Sequence, residues 1–147
     1  MLKRFFPHLL LILSGASLTL AFAPFNMWLL TIPALALAIR QVIKLKHRPF
    51  FAGWLFGAGW FGAGISWVHV SIADFGGLPL IGSIALMALL CSYLALYPAL
   101  ATKLTAKFFS PLLWPMVLPF FWVVAEWLRS WMLSGFPWLS LGYSQLE

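Results

Sequence analysis

The stretch "FFAGWLFGAGWFGAGISWVHV", residues 50–70, is almost entirely apolar and contains no Asp, Glu, Lys or Arg. At about 1.5 Å per residue, a helix of this length spans about 30 Å, the thickness of a bilayer's hydrocarbon core. Gly53 and Gly57 form a GxxxG pair, and the small face continues to Gly64. Small residues let another membrane helix approach closely. The stretch therefore predicts a transmembrane helix with a tightly packed face, which is favoured over a substrate groove.

The composition of the whole chain indicates the same class of protein. Of the 147 residues, 63% are hydrophobic and only 8% are charged. Soluble domains are roughly a quarter charged and about half apolar, so this chain has too little polar surface to enclose a water-soluble core. We therefore expect an all-α, polytopic membrane helical bundle.

Apolar runs predict about five transmembrane helices within residues 1–134. Their expected ranges are 5–22, 28–43, 50–70, 80–100 and 112–133. The first run has an alternative interpretation as a cleaved signal peptide, because Lys3 and Arg4 precede it and "AFA" ends it at residues 21–23. A retained helix is favoured, because the run is longer than a usual signal-peptide core and a proline follows the expected cleavage site.

The basic residues alternate between the connections that join these runs. The net charge is +6, and nearly all the basic residues precede the first run or separate the second from the third and the fourth from the fifth: Lys3, Arg4, Arg40, Lys44, Lys46, Arg48, Lys103 and Lys107. This alternation follows the positive-inside rule, whereas a nucleic-acid-binding face would gather the charges on one surface. We expect no nucleic-acid partner, a cytoplasmic N-terminus, and a segment 135–147 on the outer face.

The last predicted helix carries a carboxylate and a guanidinium. Glu126 and Arg129 are three residues apart in "VVAEWLRSWML" and therefore share a helix face. A charge at the middle of the membrane costs roughly 2.5 to 3.5 kcal/mol, which pairing offsets. Glu126 should lie well inside the core, while the longer Arg129 can reach the outer interface. A structural ion pair and a role near a functional site both fit this pattern.

The chain shows no catalytic or metal-binding pattern of its own. Its one cysteine, Cys91, lies in an apolar run and is expected to be a small packing residue. His69 and Asp74 are five residues apart, but two ligands without a third do not make a metal site. There is no Gly-rich phosphate loop and no plausible Ser-His-Asp set. We expect no catalytic residue, metal or cofactor in this chain.

Three motifs follow one another along the chain. They are "LAFAPFNMW" at 20–28, "GAGISWVHVSIADFGG" at 62–77 and "EWLRSWMLSGFPWLSLGYSQ" at 126–145. Together they resemble the N-terminal membrane region of the bacterial apolipoprotein N-acyltransferases, over nearly the whole chain. The third motif is the most specific, because GFPW followed by GYSQ is hard to obtain from generic membrane composition. His69 departs from the family pattern, in which a tyrosine-like aromatic is expected.

The resemblance implies an enzyme of the bacterial inner membrane that transfers an acyl chain from a phospholipid to the N-terminal amine of a diacylglyceryl-cysteine lipoprotein. It also implies a periplasmic nitrilase-like domain with a Glu-Lys-Cys triad, which these 147 residues do not contain. We therefore expect a truncated product, inactive alone, in which 135–147 begins a periplasmic loop. Glu126, Gly135, Trp138 and Tyr143 match family positions near the site and are expected to support substrate binding. The implied partners are the phospholipid donor and the lipoprotein acceptor.

A second class of function stays open at this point. The same module could serve a non-enzymatic membrane protein, such as a transporter-like or scaffold subunit. Transporters usually show internal repeats with helices broken near mid-membrane, and we recognise no repeat here.

Overall fold

The structure, a computed structural model, describes residues 2–45 and 47–145 of the chain. All regular elements of these residues are helical. The α-helices are α1 (Leu2–Ser17), α2 (Thr31–Lys44), α3 (Pro49–Gly64), α4 (Val68–Gly76), α5 (Leu80–Leu94), α6 (Leu96–Phe108) and α7 (Trp114–Arg129). Short 3-10 turns cover Leu18–Ala21, Trp28–Leu30, Pro111–Leu113, Met132–Ser134 and Leu141–Gln145. The expected all-α helical bundle is confirmed.

Two helices within the described ranges are long and apolar enough to cross a membrane. One is Leu80–Phe108, which consists of α5 and α6 together, and the other is Pro111–Arg129, which includes α7. A third crossing results if α3 and α4, bent by 56° relative to each other, form one broken span. The apolar helix Phe5–Ala21 and α2 are shorter, reaching about 26 Å and about 21 Å. The count of five spans therefore stays a prediction.

The third predicted span, 50–70, is not one straight helix, because α3 ends at Gly64 and α4 begins at Val68. Between α3 and α4 the chain leaves the helical path for a few residues. There the Ser66 hydroxyl donates to the Ala63 carbonyl at 3.2 Å, and the His69 ring hydrogen-bonds the Ser66 carbonyl. These side chains satisfy carbonyls near the break, which lowers its cost. Hydropathy does not reveal the bend, because both halves are apolar.

The fourth predicted span, 80–100, is longer than expected, since the helix continues to Phe108. Pro98 follows the short break between α5 and α6, and proline has no N–H with which to continue the ladder of helical hydrogen bonds. Because the helix continues to Phe108, Lys103 and Lys107 lie within the last turns of α6. The expectation that they belong to a loop is wrong, although they still lie at the end of an apolar helix.

The fifth predicted span, 112–133, ends earlier than expected, at Arg129. The chain then folds back, with Leu133 at φ 50°, and the Phe136 N–H donates to the Arg129 carbonyl at 3.0 Å. This bond satisfies a carbonyl that the end of a helix leaves without an intrahelical partner. Glu126 therefore lies in the last turn of α7, not deep within the span as predicted.

Glycines allow α3 to pack closely on two sides, against α1 and against the α5–α6 helix. On the α1 side, a Cβ atom at Gly59 would lie 2.9 Å from the Cα of Ile12. On the other side, a Cβ atom at Gly57 would lie 2.9 Å from the Cα of Ala95. Such separations are shorter than van der Waals contact, so only glycine fits at either position. The close approach predicted from the GxxxG pair is confirmed.

The two ends of the bundle differ in chemistry. At one end, the rings of His8 and Phe51 lie 6.0 Å apart, and the Lys103 ammonium lies 5.7 Å from the centre of the Phe50 ring. The amino ends of α1 and α3 and the carboxyl end of α6 therefore meet there. At the opposite end, the turn between α1 and α2 and the residues that follow α7 line one shallow pocket. The chain thus gathers its C-terminal residues away from these basic side chains.

Candidate functional site

The predicted site residues lie on two elements in mutual contact: the last turn of α7 and the C-terminal segment, by which we mean residues 135–145. The segment begins at Gly135, whose φ of 76° glycine adopts readily. A Cβ atom there would lie 3.0 Å from the carbonyl carbon of Ser130. Glycine is therefore required at this position for both conformation and space.

Glu126 links α7 to the C-terminal segment. Its Oε1 atom accepts a hydrogen bond of 2.9 Å from the backbone N–H of Leu141 and one of 3.2 Å from the indole N–H of Trp122. Arg129 Nη2 lies 3.9 Å from the same oxygen, so the expected ion pair is confirmed. Hydrogen bonds to a charged acceptor are among the stronger ones in proteins. The carboxylate thus anchors a backbone group of the segment.

Arg129 is buried, with 2% of its side chain exposed. Its Nη2 atom donates to the Ser140 hydroxyl at 2.8 Å, and that hydroxyl donates to the Pro137 carbonyl at 2.8 Å. The guanidinium carbon lies 5.1 Å from the centre of the Phe61 ring, a cation–π arrangement. Arg129 therefore finds its partners inside the bundle, where the C-terminal segment and α3 supply them.

Trp138 is the most prominent side chain of the segment and is half exposed. Its ring stacks on Trp67, with ring centres 5.3 Å apart and planes inclined by 28°. The Phe136 ring also packs against the Trp138 ring, with ring centres 5.6 Å apart. The next residue, Leu139, packs over Gly64, where a Cβ atom would lie 3.4 Å from Leu139 Cδ2. The segment therefore covers the break between α3 and α4.

Tyr143 lies on the 3-10 turn Leu141–Gln145, and its side chain is exposed. Its backbone N–H donates to the Ser140 carbonyl at 2.9 Å. The structure thus brings Glu126 to the backbone of the segment at Leu141 and leaves the Tyr143 ring at the surface. Of the four predicted residues, Glu126 and Gly135 shape the segment, while Trp138 and Tyr143 are presented by it.

An open groove of about 460 Å³ adjoins this cluster, and the sequence interpretation missed it. Helices α2 and α7 form its walls, and the C-terminal segment closes one end. Its lining is largely apolar and includes Leu35, Ile39, Leu118, Val123, Glu126 and Gln145. No local pattern marks the groove, because its walls come from segments that are far apart in the sequence. Walls of this composition suit apolar groups with a few polar contacts.

Two other residues singled out in the sequence have local roles. Cys91 is buried in the hydrophobic core, as expected of a packing residue. His69 hydrogen-bonds the Ser66 carbonyl beside the break between α3 and α4, so its ring is part of that turn.

Comparisons with known proteins agree with the predicted resemblance. The family model of the apolipoprotein N-acyltransferase N-terminal domain matches residues 14–147. The apolipoprotein N-acyltransferase of Shewanella oneidensis is 51% identical over 140 residues, which cover 90% of this chain and 27% of that protein. The one from Vibrio vulnificus is 46% identical over 138 residues, which cover 90% and 27%. The one from Pasteurella multocida is 38% identical over 148 residues, which cover 100% and 28%.

The matched region contains α7, the C-terminal segment and the side chains that join them. This chain spans about 27% of the length of these relatives. The relatives carry the same name, which disfavours the alternative of a transporter-like or scaffold protein. The chain belongs to the family of the apolipoprotein N-acyltransferase N-terminal domain.

Proposed function

We propose that this chain is the membrane portion of an apolipoprotein N-acyltransferase. Such an enzyme transfers an acyl chain from a phospholipid to the N-terminal amine of a diacylglyceryl-cysteine lipoprotein. The observation that carries the proposal is the family match over residues 14–147, which includes the C-terminal segment. We expect residues 1–147 to be inactive on their own, because the resemblance assigns the chemistry to a nitrilase-like domain.

The proposed setting is the bacterial inner membrane, with the N-terminus in the cytoplasm and the C-terminal segment in the periplasm. The charge distribution supports this orientation. Lys103 lies at the end of the bundle that holds the amino ends of α1 and α3, and the C-terminal segment lies at the other end. Basic residues favour the cytoplasmic side of a membrane protein.

Within this proposal, the C-terminal segment helps to position the acyl donor. An indole has an apolar body and one hydrogen-bond donor, so a half-exposed Trp138 suits the boundary between acyl chains and headgroups. Gly135 provides the turn at which the segment begins, Glu126 holds the segment, and Tyr143 is exposed on the same segment. These residues support substrate binding and carry out no bond-forming step. The groove between α2 and α7 adjoins the segment and also favours an apolar substrate.

A chimeric enzyme tests the proposal. Residues 1–147 would replace the matching region of the Shewanella oneidensis relative, with which the chain is 51% identical over 140 residues. Acyl transfer to a diacylglyceryl-cysteine peptide would be followed by mass spectrometry in proteoliposomes. We expect transfer by the chimera and none by the same relative without its N-terminal region. A chimera that inserts at the normal level but transfers no acyl chain would contradict the proposal.

A further inference from the structure

We infer that Glu126 and Arg129 are positioning residues that fix the C-terminal segment to α7 and thereby set the place of Trp138. The polar latch, as we name it, consists of Glu126, Arg129, Ser140 and the backbone N–H of Leu141. Its consequence for acyl transfer rests on the proposed function, whereas its effect on the segment does not.

The first argument is the direction in which the two charged side chains point. Arg129 Nη2 lies 2.8 Å from the Ser140 hydroxyl, and Glu126 Oε1 lies 2.9 Å from the Leu141 nitrogen. The separation between the two charged groups is longer, at 3.9 Å. A pair that served only to neutralise charge within the helix would make its shortest contact between its own members. Here both side chains make their shorter contacts with the segment.

The second argument is the backbone conformation that the latch encloses. Leu139 has a φ of 57°, in the left-handed region that is unfavourable for a residue with a Cβ atom. Such conformations persist where the surrounding structure determines them, and they are concentrated at functional sites. The two residues that follow Leu139 are the ones held by Arg129 and Glu126. Trp138 directly precedes Leu139, so holding the backbone at Leu139 also restricts the position of the Trp138 backbone.

The third argument is that the segment is tied down on both sides of Trp138. On the N-terminal side, the Phe136 N–H donates to the Arg129 carbonyl at 3.0 Å. On the C-terminal side, the latch holds Ser140 and Leu141. Between these points, the Trp138 ring lies on Trp67. Fixing both flanks leaves the indole little freedom to move away from this stack.

The fourth argument is burial. Arg129 is 2% exposed, and a buried cation is costly unless it has partners. Ser140 supplies a hydrogen-bond acceptor, Glu126 the opposite charge and Phe61 the face of a ring. The segment therefore covers the guanidinium, and the guanidinium holds the segment. This mutual dependence predicts that weakening either partner loosens both.

Hydrogen exchange of the chimeric enzyme in lipid nanodiscs tests the latch without any need for activity. Mass spectrometry would follow the peptide that covers the C-terminal segment. We expect Ser140→Ala to speed exchange of its amides about tenfold, since one of the bonds that resists local opening is lost. Glu126→Gln should do the same, because Arg129 loses its opposite charge. Ser130→Ala is the matched control, since the Ser130 hydroxyl donates to the Trp127 carbonyl within the same turn of chain.

Acyl transfer by the same variants provides the second measurement. If the latch positions the donor, Ser140→Ala should raise the KM for phospholipid severalfold and change kcat less, as expected for lost binding. Ser130→Ala should alter neither constant. Unchanged exchange in both Ser140→Ala and Glu126→Gln would overturn the latch. Faster exchange with unchanged transfer would support the latch and contradict the role of the segment in the proposed function.

Discussion

The backbone N–H of Leu141 donates a 2.9 Å hydrogen bond to the carboxylate of Glu126, which lies 15 positions earlier in the chain. This bond joins the two halves of the third sequence motif, EWLR and GFPWLSLGYSQ. The helix end and the segment that follows it are therefore one structural unit. Changes to Glu126 should consequently be felt at the segment.

The first prediction concerns orientation. We expect cysteines introduced at Asp74 and Ser140 to react with a membrane-impermeant thiol reagent on intact spheroplasts, and cysteines at Lys44 and Lys46 to be protected, because basic connections favour the cytoplasm. Lys46 lies outside the described residues. The native Cys91 is buried and serves as the background. Labelling at Lys44 together with protection at Asp74 would reverse the proposed orientation.

The second prediction concerns packing of α3. Gly57→Ala should lower the stability of the bundle by about 1–3 kcal/mol, because overpacking forces neighbouring atoms to move. The Cβ atom would lie 2.9 Å from the Cα of Ala95, which cannot yield without a shift of the helix. Thermal unfolding of the purified protein in detergent gives the measurement.

Gly62→Ala is the matched control for that substitution, on the same helix. Its Cβ atom would meet no atom of the described residues within 4 Å, apart from its own neighbours in the helix. Its melting temperature should be unchanged or slightly higher, since alanine favours a helix by up to about 1 kcal/mol over glycine. Equal losses in Gly57→Ala and Gly62→Ala would argue against the close contact between α3 and the α5–α6 helix.

The third prediction is that the 147-residue chain does not acylate a diacylglyceryl-cysteine peptide by itself. Covalent acyl transfer needs an activated nucleophile beside a base, and the one cysteine, Cys91, is buried among apolar side chains. The purified chain, phospholipid and peptide would be incubated together, and the mass of the peptide would be measured by mass spectrometry. A gain of one acyl chain that depends on the protein would refute this prediction and direct attention to Cys91.

The class of fold follows from the sequence because apolar composition alone excludes a soluble core. The position of the helix break does not, because the runs on both sides of it are apolar and the hydrogen bonds of Ser66 and His69 become visible only in three dimensions. The lengths of the helices also depend on such local features. Pro98 lies inside α6, and the helix continues beyond it to Phe108.

The candidate site could be predicted in part. The spacing of Glu126 and Arg129 indicates a shared helix face, and the ion pair is present. Spacing along one helix cannot show that Ser140 and Leu141 fold back onto it, so the burial of Arg129 was not foreseen. The groove between α2 and α7 was missed for the same reason, since it is formed by long-range contacts.

Acyl transfer by Trp138→Ala in the chimeric enzyme tests most directly whether the C-terminal segment serves the reaction. The account predicts at least about a tenfold loss of kcat/KM, or about 1.4 kcal/mol of transition-state stabilisation, with normal membrane insertion and protein level. Trp28→Ala is the control for membrane anchoring, because Trp28 is also partly exposed and, although it lines a pocket with Ser144 and Gln145, it is not part of the stack of Trp138 on Trp67. It should leave transfer near the wild-type rate. Transfer that stays intact in both variants, or falls only in step with protein level, would contradict the account and make Trp138 a membrane anchor.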